Sequence, residues 1–139
     1  MTILLIAIIL LVFGWDLAWW VLGVKPRFPW QLRDRLESPG PPPALLDVRT
    51  PLEYNWFHLP GAQNVPDLLT SDAHLPPLPP SREVVVICMT GHRSPIAAYN
   101  LKKHGFTQVS HLSWGMAGWK IYEGGSRLWR RWKPKTPKD

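Results

Sequence analysis

The sequence predicts an α/β domain with a mostly parallel sheet, preceded by one membrane-spanning helix. The run EVVVIC, residues 83–88, is continuous and rich in β-branched residues, as in a strand that is buried on both faces. Strand-like runs then alternate with helical segments, which is the order expected of a parallel α/β sheet. Residues 2–24 are apolar except for Asp16 and are long enough to cross a bilayer. A chain of 139 residues suffices for one such domain.

The first segment, TILLIAIILLVFGWDLAWWVLGV, is predicted to stay in the membrane as an uncleaved anchor. Its fourteen Leu, Ile, Val and Phe residues contribute about −4 to −8 kcal/mol to insertion, against about +3 kcal/mol for Asp16. A cleaved signal peptide is the alternative, but the segment has no basic start and no small-x-small cleavage site. Trp15, Trp19 and Trp20 are typical of the interfacial end of an anchor. Asp16 is expected to be tolerated near the headgroups, with pairing to a partner helix or an ion as the alternative.

Basic residues set the predicted orientation of the anchor. Lys25, Arg27, Arg33 and Arg35 follow the apolar segment, whereas no basic side chain precedes it. The positive-inside rule then predicts a single-pass protein of the cell (inner) membrane whose domain faces the cytoplasm. The single cysteine allows no intrachain disulfide and fits a reducing compartment.

The first elements after the anchor are short and separated by prolines. A helix is predicted over residues 29–38, and the prolines within residues 39–43 form a stiff spacer behind it. The apolar run ALLDV, residues 44–48, predicts a buried strand. Residues 51–57 predict one or two helical turns after a Thr-Pro start, and residues 58–66 predict a turn and a brief strand.

The second half of the chain repeats the strand–helix alternation. After the proline-rich loop at 74–81 and the strand at 83–88, a helix is predicted over 94–105, where a glycine ends it. Another strand is predicted at 108–112, and the segment WGMAGWKIY is expected to close the domain with a turn or a short helix.

These elements divide the chain into an anchor, a linker, a domain and a tail. The predicted bounds are 1–24, 25–43, 44–122 (with the first helix of the domain from about residue 29) and 123–139. The net charge of +6 is concentrated in the tail, because residues 127–139 carry six basic residues and one Asp. Basic residues mixed with Trp129 and Trp132 predict contact with an anionic membrane surface. Nucleic acid is the alternative partner, but the anchor argues against it.

The segment CMTGHRS, residues 88–94, lies between the central strand and the next helix and is called the Cys88 loop below. Ligands of parallel sheets bind beyond the carboxyl ends of the strands, where backbone N–H groups and a helix N-terminus favour negative charge. A cysteine at that position is favoured as the nucleophilic thiolate. Gly91 permits a tight curl, Arg93 offers a fork of donors to an anion, and Ser94 offers a cap or a hydroxyl.

Four segments resemble the rhodanese sulfurtransferase family. CMTGHRS resembles its active-site loop, Cys-x-x-Gly-x-Arg-Ser/Thr, and LLDVRTPLEY (45–54) resembles its Asp-Val-Arg…Glu-Tyr segment. FHLPGAQNVP (57–66) resembles Gly-His-Ile-Pro-Gly-Ala…Asn-Ile-Pro, with Phe57 where Gly is usual. GFTQVSHLSWGMAGW (105–119) resembles the closing segment, with Trp114 in place of one Gly. The segments occur in the family's order over roughly residues 30–120.

The resemblance implies a rhodanese-like domain with a five-stranded parallel sheet flanked by helices, and a double-displacement reaction. Cys88 would take a sulfane sulfur from thiosulfate or another persulfide donor and pass it to a thiol, to cyanide or to a protein cysteine. The backbone amides of residues 89–93 would stabilise the thiolate and the persulfide, and Arg93 would bind the donor anion. The expected substrate-binding residues are Met89, Thr90, Gly91, His92 and Ser94. Neither a metal nor an organic cofactor is expected.

Two other functions compete with catalytic sulfur transfer. A cysteine phosphatase needs five residues between its Cys and Arg, whereas four lie between Cys88 and Arg93. A membrane-tethered binding or sensing module, or a persulfide carrier for one protein partner, is the stronger alternative, although the intact Cys88 and Arg93 favour an enzyme.

Other charged residues are expected to be structural. Arg49 and Glu53 are predicted to form an ion pair beside the strand end, and Asp47 could orient the catalytic loop. His58 is expected to make a structural hydrogen bond, and His92 to be solvated or to tune the charge of the loop. The remaining histidines, His74, His104 and His111, have no spacing that suggests a metal site.

Overall fold

The structure of the protein, a computed structural model, describes residues 1–70 and 75–132, with side chains described through residue 128. The helices are α1 (Thr2–Val21), α2 (Pro29–Glu37), α3 (Pro51–Trp56), α4 (Ser94–Lys103) and α5 (Gly115–Trp132), and a 3-10 turn covers Pro66–Leu69. The strands are β1 (Lys25–Arg27), β2 (Ala44–Asp47), β3 (Gln63–Asn64), β4 (Val84–Ile87) and β5 (Val109–Leu112).

The five strands form one sheet in the order β1-β5-β4-β2-β3, and every pairing is parallel. Strand β4 lies at its centre and all four of its residues are buried, which confirms the prediction made from EVVVIC. The sequence did not predict β1, because its residues, Lys25, Pro26 and Arg27, are typical of a charged linker. The strand lies at an edge, where a proline is tolerated because one side of the strand forms no ladder.

Side chains that alternate along the strands build a core on each face of the sheet. Leu46 and Val86 point to the face covered by α4, whose Ala97 and Leu101 are fully buried. The neighbouring strand residues point to the other face, which α2 and α5 cover. Strands and helices together contribute the buried side chains of this face: Leu32, Leu45, Val85, Ile87, Leu112, Met116 and Trp119. This period of two confirms the α/β architecture with helices on both faces.

Helix α5 is longer than the sequence indicated. A turn or short helix was predicted at 114–122 and a tail from 123, but one helix of 18 residues covers Gly115–Trp132. Its exposed side carries ion pairs at helical spacing, from Glu123 to Lys120 and to Arg127. These pairs span Gly124 and Gly125 or lie beside them, and they support the helix there. Some predictions lie outside the described part of the chain. They concern the side chains of Trp129 and Trp132, residues 133–139 and His74.

Helix α1 is long and apolar enough to cross a membrane by length and composition, with a mean hydropathy of 2.3 over 18 residues. Most of its side chains are exposed, but its second half, from Leu11 onward, lies against the domain. Trp19 packs on Tyr99 with ring centroids 6.0 Å apart, and the Asp16 side chain is buried. Asp16 is therefore covered by the protein's own domain.

A buried ion pair joins Asp47, at the end of β2, to Arg49. The two side chains are fully buried, and the guanidinium donates to both carboxylate oxygens over 2.8–3.1 Å. Arg49 also donates to the carbonyl of Phe57 over 2.6 Å. The predicted ion pair between Arg49 and Glu53 is wrong. Arg49 pairs instead with the Asp47 carboxylate, which is two positions away in sequence and buried beside it.

We expect Arg49→Met to lower the free energy of unfolding by about 3–5 kcal/mol, because it leaves the Asp47 carboxylate buried without its partner. Urea denaturation of the full chain in detergent micelles measures this loss. Arg127→Met removes an exposed ion pair and is the control, with an expected change below about 1 kcal/mol. Equal effects of the two substitutions would contradict the prediction.

Candidate active site

The Cys88 loop begins where the central strand ends and runs directly into α4. Gly91 adopts φ +87°, a left-handed conformation that a side chain disfavours. A Cβ on Gly91 would also lie 2.8 Å from the backbone nitrogen of Trp114. Both observations explain why the loop needs glycine at this position.

The N-terminal turn of α5 is hydrogen-bonded to the backbone of the loop. The N–H of Met116 donates to the Cys88 carbonyl and the N–H of Ala117 donates to the Met89 carbonyl, each over 2.9 Å. Gly115 approaches so closely that an added Cβ would lie 2.5 Å from the Cys88 carbonyl oxygen. The backbone on both sides of the sulfur is therefore fixed by the closing helix of the domain.

The Cys88 side chain has no exposed surface. Its Sγ accepts a hydrogen bond from the Gly91 N–H at 3.0 Å and lies 3.4 Å from Ser94 Oγ. Of the five amides expected to surround the sulfur, Gly91's is the one placed to donate to Sγ in the described residues. Ser94 is the first residue of α4, but its hydroxyl faces the sulfur rather than capping the helix.

Arg93 is held by Glu53 of α3. Its guanidinium donates to both carboxylate oxygens, over 2.7 and 3.2 Å. The hydrogen bonds from Arg93 lower the pKa of Glu53 from 4.5 to about 2, and the same contact raises the pKa of Arg93. The arginine expected to bind an anion thus already has an anionic partner, and that partner is the carboxylate the sequence had assigned to Arg49.

The other predicted loop residues lie at the surface of the site. Thr90 and His92 are exposed, and Thr90 Oγ1 lies 3.1 Å from His92 Nδ1. Met89 is half-buried and packs on the core beneath α5. The prediction for His58 is confirmed, since its Nδ1 lies 2.9 Å from the Tyr54 carbonyl.

Sequence reasoning missed two polar residues, His111 and Asp16, that connect to the sulfur through Ser94. His111 of β5 is fully buried, with Nδ1 3.4 Å from Ser94 Oγ. Its Nε2 lies 3.3 Å from Asp16 Oδ1, which is ion-pair distance without the alignment of a hydrogen bond. The available signals were a lone charge in an apolar helix and a histidine in an apolar strand.

A cavity of about 220 Å³ separates α1 from the Cys88 loop. It is lined by two turns of α1, the loop and one aromatic residue: Leu11, Val12, Trp15, Asp16, Thr90, Gly91, His92 and Trp114. Trp114 has a backbone φ of +62°. The family that the sequence resembles has glycine at this position. The described residues hold no group of His, Cys, Asp and Glu side chains that would bind a metal ion.

Comparison with known proteins identifies a domain family. The family model of the rhodanese-like domain matches residues 29–129. The probable adenylyltransferase/sulfurtransferase MoeZ of Mycobacterium tuberculosis is 44% identical over 92 residues, which are 66% of this chain and 23% of that protein. The chain thus spans less than a quarter of the length of that relative.

Two further comparisons match proteins of similar size. A sulfurtransferase of Allochromatium vinosum is 36% identical over 81 residues, covering 54% of this chain and 69% of that protein. The solution structure of the rhodanese-like domain of Alr3790 from Anabaena is 30% identical with a TM-score of 0.59, covering 82% of this chain and 87% of that domain. With the parallel sheet, the Cys88 loop and the family match over residues 29–129, the chain belongs to the rhodanese-like domain family.

Proposed function

We propose that the protein is a membrane-anchored sulfurtransferase that carries a sulfane sulfur on Cys88. The observation that carries this proposal is the position of Cys88 Sγ, which accepts the Gly91 N–H at 3.0 Å beneath the N-terminus of α4. A hydrogen bond to sulfur is stronger when the sulfur is charged, so this environment favours the thiolate. Membership of a family with relatives named sulfurtransferases supports the same chemistry.

The proposed reaction has two displacements. The Cys88 thiolate attacks the outer sulfur of thiosulfate, the S–S bond of the donor breaks, and sulfite leaves with the bonding electron pair. The resulting persulfide on Cys88 is then attacked at its outer sulfur by cyanide or a thiolate, which leaves with that sulfur and regenerates the cysteine thiolate. Neither step needs an external oxidant, reductant or cofactor.

Arg93 is proposed to bind the anionic donor by exchanging its partner. Glu53 holds the guanidinium in a bidentate pair at the rim of the Cys88 loop, where the pair is partly exposed. An arriving thiosulfate offers oxygens of the same charge, so it competes with Glu53 for the guanidinium. Met89, Thr90, Gly91, His92 and Ser94 are proposed to form the remainder of the donor site.

Access to the sulfur requires movement, because Cys88 has no exposed surface. The exposed part of the loop, Thr90 and His92, borders the 220 Å³ cavity beside α1. A donor that enters this cavity needs the loop or α1 to shift before it reaches Sγ. In the proposed arrangement α1 anchors the protein in the cell (inner) membrane, the domain faces the cytoplasm, and the sulfur site lies next to the membrane surface.

A tethered persulfide carrier or binding module is the second candidate. The observations that favour it are the burial of Cys88 and the occupation of Arg93 by Glu53, both of which oppose rapid turnover with a small anion. Such a module would exchange sulfur with one protein partner that opens the loop on docking.

Loading of sulfur onto Cys88 can be measured directly, because it changes the mass of the chain. Incubation of the full chain in detergent micelles with thiosulfate is expected to add the mass of one sulfur atom and to release sulfite, because the chain has one cysteine. Intact-mass spectrometry and a sulfite assay measure both products, and Cys88→Ser is the control that gains nothing. If wild type stays unmodified with thiosulfate and with small persulfides, the tethered module is favoured.

We also expect Arg93→Gln to slow persulfide formation from thiosulfate by about 10- to 100-fold, since a charge-assisted hydrogen bond contributes about 1.5–3 kcal/mol. The second-order rate constant of mass gain gives the effect. Arg82→Gln is the matched control, because Arg82 donates to the Pro42 carbonyl outside the Cys88 loop. A rate for Arg93→Gln equal to that of the control would remove Arg93 from the donor site.

The Glu53–Arg93 pair predicts acid sensitivity. Because the pKa of Glu53 falls from 4.5 to about 2 on folding, the pair stabilises the folded state fully above about pH 4.5. This stabilisation is lost as pH falls from 4.5 toward 2. Thermal unfolding between pH 5 and pH 2 should therefore show a larger loss of stability in wild type than in Glu53→Gln. Parallel curves for the two proteins would contradict the assignment.

A further inference from the structure

Four polar side chains form a buried line from helix α1 to the sulfur. Asp16 Oδ1 lies 3.3 Å from His111 Nε2, His111 Nδ1 lies 3.4 Å from Ser94 Oγ, and Ser94 Oγ lies 3.4 Å from Cys88 Sγ. His111, Ser94 and Cys88 are fully buried, and Asp16 is 7% exposed. The line joins three separate elements of the fold, α1, β5 and the start of α4.

We infer that Asp16 of the membrane helix is a positioning residue for the cysteine, acting through His111 and Ser94. This inference rests on the proposed role of Cys88 as the nucleophile. It gives the anchor helix a second task, which is to complete the site that the domain forms around the sulfur.

The hydrogen-bond roles along the line follow from the carboxylate at its end. A carboxylate accepts and does not donate, so it favours the His111 tautomer with the proton on Nε2. Nδ1 is then free to accept from the Ser94 hydroxyl, and Ser94 Oγ is free to accept from the Cys88 thiol. Within the described residues His111 Nε2 has no hydrogen-bond acceptor, and Asp16 is the charged group that faces it.

This arrangement provides a path for the thiol proton. The proton of Cys88 passes to Ser94 Oγ while the Ser94 hydroxyl proton passes to His111 Nδ1. The products are a thiolate and an imidazolium beside the Asp16 carboxylate, and no electrons are exchanged. The Ser94 hydroxyl then donates to the sulfur from one side and the Gly91 N–H donates from the other. The two contacts of 3.4 Å are at the long end of the hydrogen-bond range.

Burial makes the carboxylate necessary to the path. An imidazolium inside the domain is costly unless an opposite charge lies close to it. Asp16 is the carboxylate placed to supply that charge, because Asp47 is already paired with Arg49. The other titratable groups near the sulfur are Arg93 and His92 of the Cys88 loop. Both residues are retained in the Asp16 and Ser94 variants.

The test measures alkylation of Cys88 by iodoacetamide from pH 5 to pH 9, using the full chain in detergent micelles. The reagent is neutral and needs no anion site, and the single cysteine makes the mass change unambiguous. Asp16→Asn is expected to raise the pH of half-maximal rate by about one unit, which slows alkylation about tenfold below both midpoints. The plateau rate at high pH reports how accessible Cys88 is to the reagent. A displacement of α1 that changes this access therefore alters the plateau rate rather than the pH midpoint.

Ser94→Ala breaks the line inside the domain without touching α1 and should raise the same midpoint. In the Ser94→Ala background, Asp16→Asn should then add nothing, because the two act through one path. Asp34→Asn, on the exposed face of α2, is the matched control and should leave the midpoint unchanged. An unchanged midpoint in Ser94→Ala, or a full Asp16→Asn shift in its background, overturns the inference. Since alkylation requires no sulfur donor, failure of sulfur transfer with the Asp16 shift intact would reject the proposed function alone.

Discussion

The rest of the structure depends on one constraint: polar groups at the carboxyl ends of the central strands are removed from water and must find partners within the protein. The parallel sheet buries both faces of β2, β4 and β5. The residues at the carboxyl ends of these strands are therefore buried as well, or directly follow a buried residue. Asp47 meets Arg49, the Cys88 sulfur meets Gly91 and Ser94, and His111 meets Ser94 and Asp16. The contacts of Cys88, Ser94, His111 and Asp16 form one connected set, and the Asp47–Arg49 pair lies at the end of the neighbouring strand.

The same constraint accounts for the contact between α1 and the domain. A carboxylate in an apolar helix is unfavourable in lipid, and a buried histidine nitrogen without an acceptor is unfavourable in the domain. Bringing Asp16 to His111 lowers both costs with one contact. The aromatic pairs around it, such as Trp15 with His92 and Phe13 with Trp114, extend the contact over the Cys88 loop.

The sequence predicted most of the fold because its strongest signals are local. EVVVIC identified the central strand, and a glycine after Lys103 marked the end of α4 within two residues. The loop itself was recognised from Cys88, Gly91 and Arg93. What the sequence could not supply were partners chosen by distance in the folded chain. Arg49 has both Asp47 and Glu53 within four positions, whereas Arg93 and Glu53 are 40 positions apart, and Asp16 and His111 are 95 positions apart. Strand β1 was missed for the same reason, because only the edge of β5 makes KPR a strand.

Strand β1 also limits how the domain can move. Only Leu22, Gly23 and Val24 separate the end of α1 from β1, a span of about 10 Å at full extension. Strand β1 in turn is hydrogen-bonded to β5, the strand that carries His111. In a chain anchored as proposed, this short connection holds the sheet close to the membrane. The sulfur site therefore stays within a few nanometres of the bilayer surface. Acceptors that share that membrane would meet it by diffusion in two dimensions, which raises their effective concentration at the site.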